Sequence, residues 1–302
     1  MRQGDAVTVD LGAAADFLAG AARALDRRRF ELLFAGGGTA PVLAALDGYR
    51  NPDGGYGWGL EPDLRSATSQ PGGALHALET LAETGADGRD RALEVCDWLA
   101  SVTLRDGGLP FALPIPDPAA CAPFWVGADP TRSSLQITAV VAATAYRVAV
   151  AVPDVAEHLW LRRASSHCFD AIEELPADVH AMELAFAVRF LDAVATARPR
   201  IAEAMVGLVR SHVPADGMLH VAGGAPDEYM RPLDFAPFPG GPARSLFAPE
   251  VVEAELDRLA AGQQPDGGWA VDFDSHSSAA TLEWRGHRTV EALSLLRANS
   301  RL

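Results

Sequence analysis

The feature that most constrains this 302-residue chain is a turn that recurs. "NPDGGYGW" begins at Asn51, "LRDGGLPF" at Leu104, "PADGMLH" at Pro214 and "QPDGGWAV" at Gln264. The turn aspartates Asp53, Asp106, Asp216 and Asp266 are spaced 53, 110 and 50 residues apart. The middle gap is about twice the others, so one degenerate copy is expected near Arg162. A fixed period of this size means one supersecondary unit repeated, and a unit that cannot bury its own apolar face must stack on its neighbours.

Each unit reads as two helices around the turn. Apolar residues recur at helical spacing before the turns, over 89–104, 201–213 and 249–264. Second helices start after an irregular Pro- and Gly-rich stretch, from Ser69, Ser133 and Thr281, where a hydroxyl can cap free amides. The middle, 154–196, is also helical, and 11–50 adds two more helices broken by "AGGGTAP". No strand alternation emerges. The sum is about eleven helices in pairs. An open solenoid or a closed ring satisfies the packing, and six pairs around a centre make an α/α toroid. The expectation is one all-α domain over 1–302, an α/α toroid of five to six helix pairs built from repeats of about 50 residues, with the second helix of each pair lining the middle.

Composition removes several functions. Net charge is −15, which disfavours nucleic acid as a partner. Cys96, Cys121 and Cys168 are far apart and form no Cys-x-x-Cys pair, which argues against a disulfide framework or a structural zinc site. All 25 basic residues are Arg, so Schiff-base lysine chemistry and the P-loop lysine are excluded. Arg is the only permanent cation, with a planar fork suited to carboxylate or phosphate. There is no apolar run long enough to span a membrane, and "MRQGDAVTVDLGAAADFLAG" does not read as a signal peptide, so the cytoplasm is the default expectation. Gly-x-Ser-x-Gly, His-Glu-x-x-His and Gly-x-Gly-x-x-Gly strings are absent.

"QQPDGGW" at 263–269 resembles the QW motif of the squalene–hopene cyclase and protein prenyltransferase superfamily. "NPDGGYGWG" followed by "SATSQPGGALHALETL" is similar to the same repeat. The resemblance covers most of 40–298 at the level of the repeat, with the full QW motif matched once. It implies an α/α toroid and a terpene-cyclase-like enzyme acting on a polyprenyl or related apolar substrate by acid-initiated carbocation chemistry. Such a substrate implies uptake by peripheral contact with a membrane. No cofactor follows unless the substrate is a diphosphate, which would bring Mg²⁺, and no protein metal site is assigned. The residues set no oligomeric state. Gln263, Asp266, Gly267, Gly268 and Trp269 are expected to be structural, because glycines permit the turn and Asp accepts backbone hydrogen bonds.

The family's acid motif is Asp-x-Asp-Asp. Here Asp272-Phe273-Asp274 is followed by Ser275, so the last acid is missing. Protein prenyltransferases place Asp, Cys and His on zinc, yet no Cys follows Cys168. In a toroid the stretches after the turns converge on one mouth of the centre, and they hold the candidates. Asp272 or Asp274 would be the acid, with Glu61, Asp63 and Glu283 as further carboxylates. Arg65, Arg132 and Arg285 would hold an anionic head. Trp58, Trp125, Phe273 and Trp284 would wall the cavity. Ion pairs that merely hold the loops, and aromatics that merely pack beneath them, are the competing reading. Glu283 and His287 stand four apart on one helix face, where they could relay protons, bind a metal with Asp272, Asp274 or His276, or bind substrate. His76, His180 and His220 have no evident partner. Two other functions stay open: a carbohydrate-active hydrolase or lyase of α/α-toroid type, with Glu61 or Asp63 paired to Glu283, and a non-catalytic binding module with an exposed apolar patch.

Overall fold

The computed structural model describes residues 8–302, so the first seven residues of the N-terminal reading lie outside the described residues. The described chain is mostly helical: α1 (Leu11–Ala21), α2 (Ala24–Phe34), α3 (Thr39–Asp47), α4 (Pro71–Thr84), α5 (Arg89–Val102), α6 (Pro123–Val126), α7 (Leu135–Ala149), α8 (Pro153–Glu157), α9 (Leu159–Glu173), α10 (Ala181–Val194), α11 (Pro199–Val209), α12 (Pro232–Phe235), α13 (Pro249–Ala261) and α14 (Ser278–Ala298). Setting aside α6, α8 and α12, each only four or five residues long, eleven helices remain, as the periodicity predicts. The strands found are a two-residue antiparallel pair, β1 (Leu219–His220) and β2 (Tyr229–Met230), too short to show alternation. No helix among the described residues is long and apolar enough to cross a membrane.

Two boundaries differ from expectation. Residues 11–50 hold three helices, because Arg23 is extended (φ −60°, ψ 151°) and separates α1 from α2. Its guanidinium reaches Asp26 and the Leu60 carbonyl, so a tertiary contact makes this break. α14 starts before Thr281, where the Ser277 hydroxyl accepts from the Ala280 amide at 3.1 Å.

The turns repeat one local geometry. In each, an aspartate oxygen accepts from the amide two residues on: Asp53 from Gly55 (2.9 Å), Asp106 from Gly108 (3.1 Å), Asp216 from Met218 (3.0 Å) and Asp266 from Gly268 (3.1 Å). Ser69 and Ser133, just before α4 and α7, donate back to Asp53 and Asp106 at 2.7 Å. The first glycine of three turns seats on helix backbone: Gly54 on α5 at Glu94, Gly107 on α9 at Arg163, and Gly267 on α1 at Ala13. The last turn therefore packs on the first helix. Gln263 strengthens that seam by exchanging hydrogen bonds with Asp10 at 2.8 Å in both directions. Trp269 is buried, with its indole donating to the Leu259 carbonyl at 2.8 Å. Gln263, Gly267 and Trp269 thus hold the turn and its seam with α1. The Asp216 turn departs, since Gly217 faces the Pro232 and Phe247 side chains instead of a helix.

Helices alternate in burial. Twelve of the fifteen α7 residues are buried but only five of the fourteen in α5, which makes α7 an inner and α5 an outer helix. α2, α4, α7 and α10 pack in succession, α5, α9 and α11 pack outside them, and α14 returns to α1 and α2. One apolar cluster runs from Ala14 to Leu296. Cys96, Cys121 and Cys168 are free and buried.

Candidate functional site

Inner helix α4 carries His76, Glu79 and Glu83 at i, i+3 and i+7, so they share one face of an otherwise Ala- and Leu-rich helix. That face meets α2 and α14. His76 sits between two carboxylates, with Nδ1 2.7 Å from Glu79 and Nε2 2.7 Å from Glu61. On α14, His287 places Nδ1 3.1 Å from Arg29 Nη1 and Nε2 3.9 Å from Glu79. Arg29 grips Glu83 through Nε (2.8 Å) and Nη2 (2.7 Å), a bidentate pair. Asp26 lies between Arg29 and Arg23, and Arg23 bonds it at 2.8 Å. Trp284 stands edge-on to both imidazoles and to Phe273. The result is a buried chain from Glu61 through His76, Glu79, His287 and Arg29 to Glu83.

The electrostatics follow the partners. Burial opposes charge on His76, but Glu79 and Glu61 outweigh it and hold its pKa up at about 9. Burial likewise opposes ionisation of Glu79, yet His76 and Arg29 hold its pKa down at about 2. His287 has no carboxylate in bonding range, and burial drives its pKa well below the ordinary 6.5. At neutral pH His76, Glu79 and Arg29 are therefore charged and His287 is neutral.

A stability consequence follows. A histidine pKa raised from 6.5 to about 9 on folding contributes stability that is complete below 6.5 and lost as pH rises toward 9. Urea melts are expected to weaken by on the order of 2 kcal/mol across that window, and His76→Gln should flatten the slope. A wild type equally stable at both ends would contradict a charged His76 between two glutamates.

Beside this chain lies a cavity of about 660 Å³. Its wall takes Arg29 from α2, Glu79 and Glu83 from α4, Val140 to Arg147 from α7, Arg189 and Asp192 from α10, and His287, Glu291 and Leu295 from α14, with Phe238 and neighbouring prolines closing one side. These residues lie toward the C-terminal ends of α4, α7, α10 and α14. The turn loops lead into the opposite ends. One stretch after a turn, 217–248, nevertheless reaches this wall through Pro237, Phe238 and Pro242, whereas His76 and Trp284 pack edge-on against each other nearer the other end.

Among the sequence-predicted candidates, only His287 lines this cavity. Asp63 is buried and holds the loop, accepting from Ser275 Oγ (2.9 Å), His276 N (2.8 Å) and Trp284 Nε1 (2.7 Å). Glu61 belongs to the His76 chain. Asp272 is exposed and 3.6 Å from Arg231, and Asp274 is exposed. Glu283 pairs with Arg65 at 2.5 Å instead of with His287. Arg285 binds Asp266 through Nη2 and covers the Phe17 ring, while Arg132 is exposed on its loop. Trp58 is 58% exposed and bonds Asn51, Trp125 stacks on Phe111 at 4.4 Å, and Phe273 packs on Trp284. Trp58, Trp125, Phe273 and Trp284 are not on the wall of this cavity, and Phe238 is.

Sequence reasoning missed His76, Glu79, Glu83, Arg29, Arg147 and Arg189. The spacing of His76, Glu79 and Glu83 was the available signal. Arg147 makes no ion pair or hydrogen bond among the described residues; its guanidinium lies 4.6 Å from the Phe238 ring and is accessible on the cavity wall. The enclosing walls lower its pKa, and the fields of Glu79 and Glu83 only partly offset this. Arg189 keeps one hydrogen bond, to the Asp234 carbonyl at 2.5 Å. Metal-ligand spacing exists at His76, Glu79 and His287, whose donor atoms lie within 4.8 Å of one another. Both nitrogens of His76 are committed to carboxylates, however, and Nδ1 of His287 faces a guanidinium. No family model matches the sequence and no curated protein matches it, so the function is to be read from this geometry.

Proposed function

We propose that the chain is a single-toroid enzyme of the squalene–hopene cyclase and prenyltransferase type, which binds a prenyl-like substrate by an anionic head in the central cavity. Support for the toroid is the packing of successive inner helices and the seating of the last turn on α1. The observation that carries the function is Arg147, an accessible guanidinium with no counter-ion among the described residues. Beside it Val140, Ala143, Phe238 and Leu295 offer apolar wall. The volume of about 660 Å³ is in the range of small-molecule sites. In this reading Asp272 and Asp274 give up the acid role, and the cavity wall carries Glu79 as an ionised carboxylate and His287 as a neutral imidazole. Glu83 is committed to Arg29 and Glu291 to Arg288, so Mg²⁺ would enter with a diphosphate substrate instead of on a ready-made carboxylate site.

The test combines binding and product analysis. Farnesyl diphosphate, geranylgeranyl diphosphate, farnesol and squalene are titrated with and without Mg²⁺, and products are read by mass spectrometry. Arg147→Gln is expected to weaken diphosphate binding roughly 10- to 100-fold, as loss of a charged hydrogen bond does, and Arg132→Gln to leave it unchanged. Binding indifferent to Arg147 would sink the reading.

One observation favours a second reading. Five carboxylates, Glu79, Glu83, Asp192, Glu203 and Glu291, line the same wall, which suits paired-carboxylate chemistry on a carbohydrate. Turnover of an oligosaccharide panel with none of the prenyl compounds would transfer the function to that class.

A further inference from the structure

His287 carries a donor that the protein itself leaves unmatched. A guanidinium has only donors, so His287 Nδ1, 3.1 Å from Arg29 Nη1, must accept. Protonating Nδ1 would set two N–H groups face to face. Arg29 cannot swing away, because Nε and Nη2 hold Glu83 and Nη1 is 3.5 Å from Asp26. The ring proton is thereby placed on Nε2. Among the described residues Nε2 makes no hydrogen bond: Glu79 is 3.9 Å away, beyond hydrogen-bond range, and already accepts from His76 at 2.7 Å. His287 lines the cavity, with Arg147 on the same wall.

We infer that Arg29 locks His287 as the neutral Nε2–H tautomer and that this N–H donates to an oxygen of the molecule bound beside Arg147. The inference rests on the reading of the cavity as an anion site. It makes Arg29 a positioning residue. It also argues against a metal ion at His76, Glu79 and His287: a cation on Nε2 would force the ring proton onto Nδ1, against Arg29. The charged groups that face His287, namely Arg29 and Arg23 from α2 and His76 and Glu79 from α4, keep it neutral on balance, since burial and three cations outweigh one carboxylate.

Nitrogen-15 spectra of histidine-labelled protein read the tautomer directly. The expected pattern for His287 is a protonated Nε2 and an unprotonated Nδ1, unchanged from pH 5.5 to 8. A protonated Nδ1, or titration of His287 in that window, overturns the lock. Affinity for inorganic diphosphate and farnesyl diphosphate reads the donor. His287→Leu should weaken binding roughly tenfold, and His287→Gln, which keeps an N–H, should stay within about threefold of wild type. Loss of binding in Arg147→Gln with none in His287→Leu overturns the donor role and leaves the proposed function standing. Failure of wild type to bind either ligand overturns both.

Discussion

Asp63→Ala is expected to destabilise the protein by about 3–5 kcal/mol, whereas Asp274→Ala should cost less than about 0.5 kcal/mol. Asp63 is 4% exposed and has no cation beside it; three donors, Ser275 Oγ, the His276 amide and the Trp284 indole, satisfy its charge. Alanine leaves those part-buried donors without their acceptor, and each orphan costs up to about 1–3 kcal/mol. Trp284 is the wedge between Phe273, His76 and His287, so its release also loosens the ceiling of the cavity. Urea denaturation measures the stability, and hydrogen exchange over 271–277 shows whether the loop opens first. Asp63→Asn, with one acceptor oxygen left, should fall between the two. An Asp63→Ala protein that melts like wild type would show that the acid-rich loop is held by something other than Asp63.

The carboxylate that matters to "VDFDSH" thus lies 212 residues from Ser275, and this distance explains what the sequence could and could not tell. The DGG turns were legible because their chemistry is local: an aspartate bonding two residues ahead beside a glycine at positive φ. The long helices were legible because burial on one face imposes a period. The break at Arg23 was not, since no Gly or Pro marks it and its partners, Asp26 and the Leu60 carbonyl, appear only in the fold. The cavity was not legible for a related reason. Its wall draws on Arg29, Glu79, Arg147, Arg189 and His287, which lie on separate helices and meet only in the fold. Glu61 and His287 were named with the wrong partners. Their true ones, His76 and Arg29, are 15 and 258 residues away in the chain.

The last large effect is expected at the seam between the chain's ends. Gly267→Ala should destabilise by about 3 kcal/mol, and Gly54→Ala by nearer 1 kcal/mol. Both glycines have nearly the same left-handed backbone, φ +91° and +87°, so the conformational penalty is shared. They differ in clearance. A Cβ on Gly267 would lie 2.0 Å from the Ala13 carbonyl oxygen, and one on Gly54 3.3 Å from that of Glu94. Ala13 cannot retreat cheaply, because its amide bonds the Asp10 side chain while Gln263 clasps the Asp10 backbone. Thermal melts of the two variants, with Gly20→Ala in an open position on α1 as the neutral control, separate strain from clash. Equal losses would mean that only backbone strain counts and that the last turn does not bear on α1. A larger loss at Gly267 would mean that contact between the last turn and α1 supports the fold, including α14, which follows that turn and carries His287.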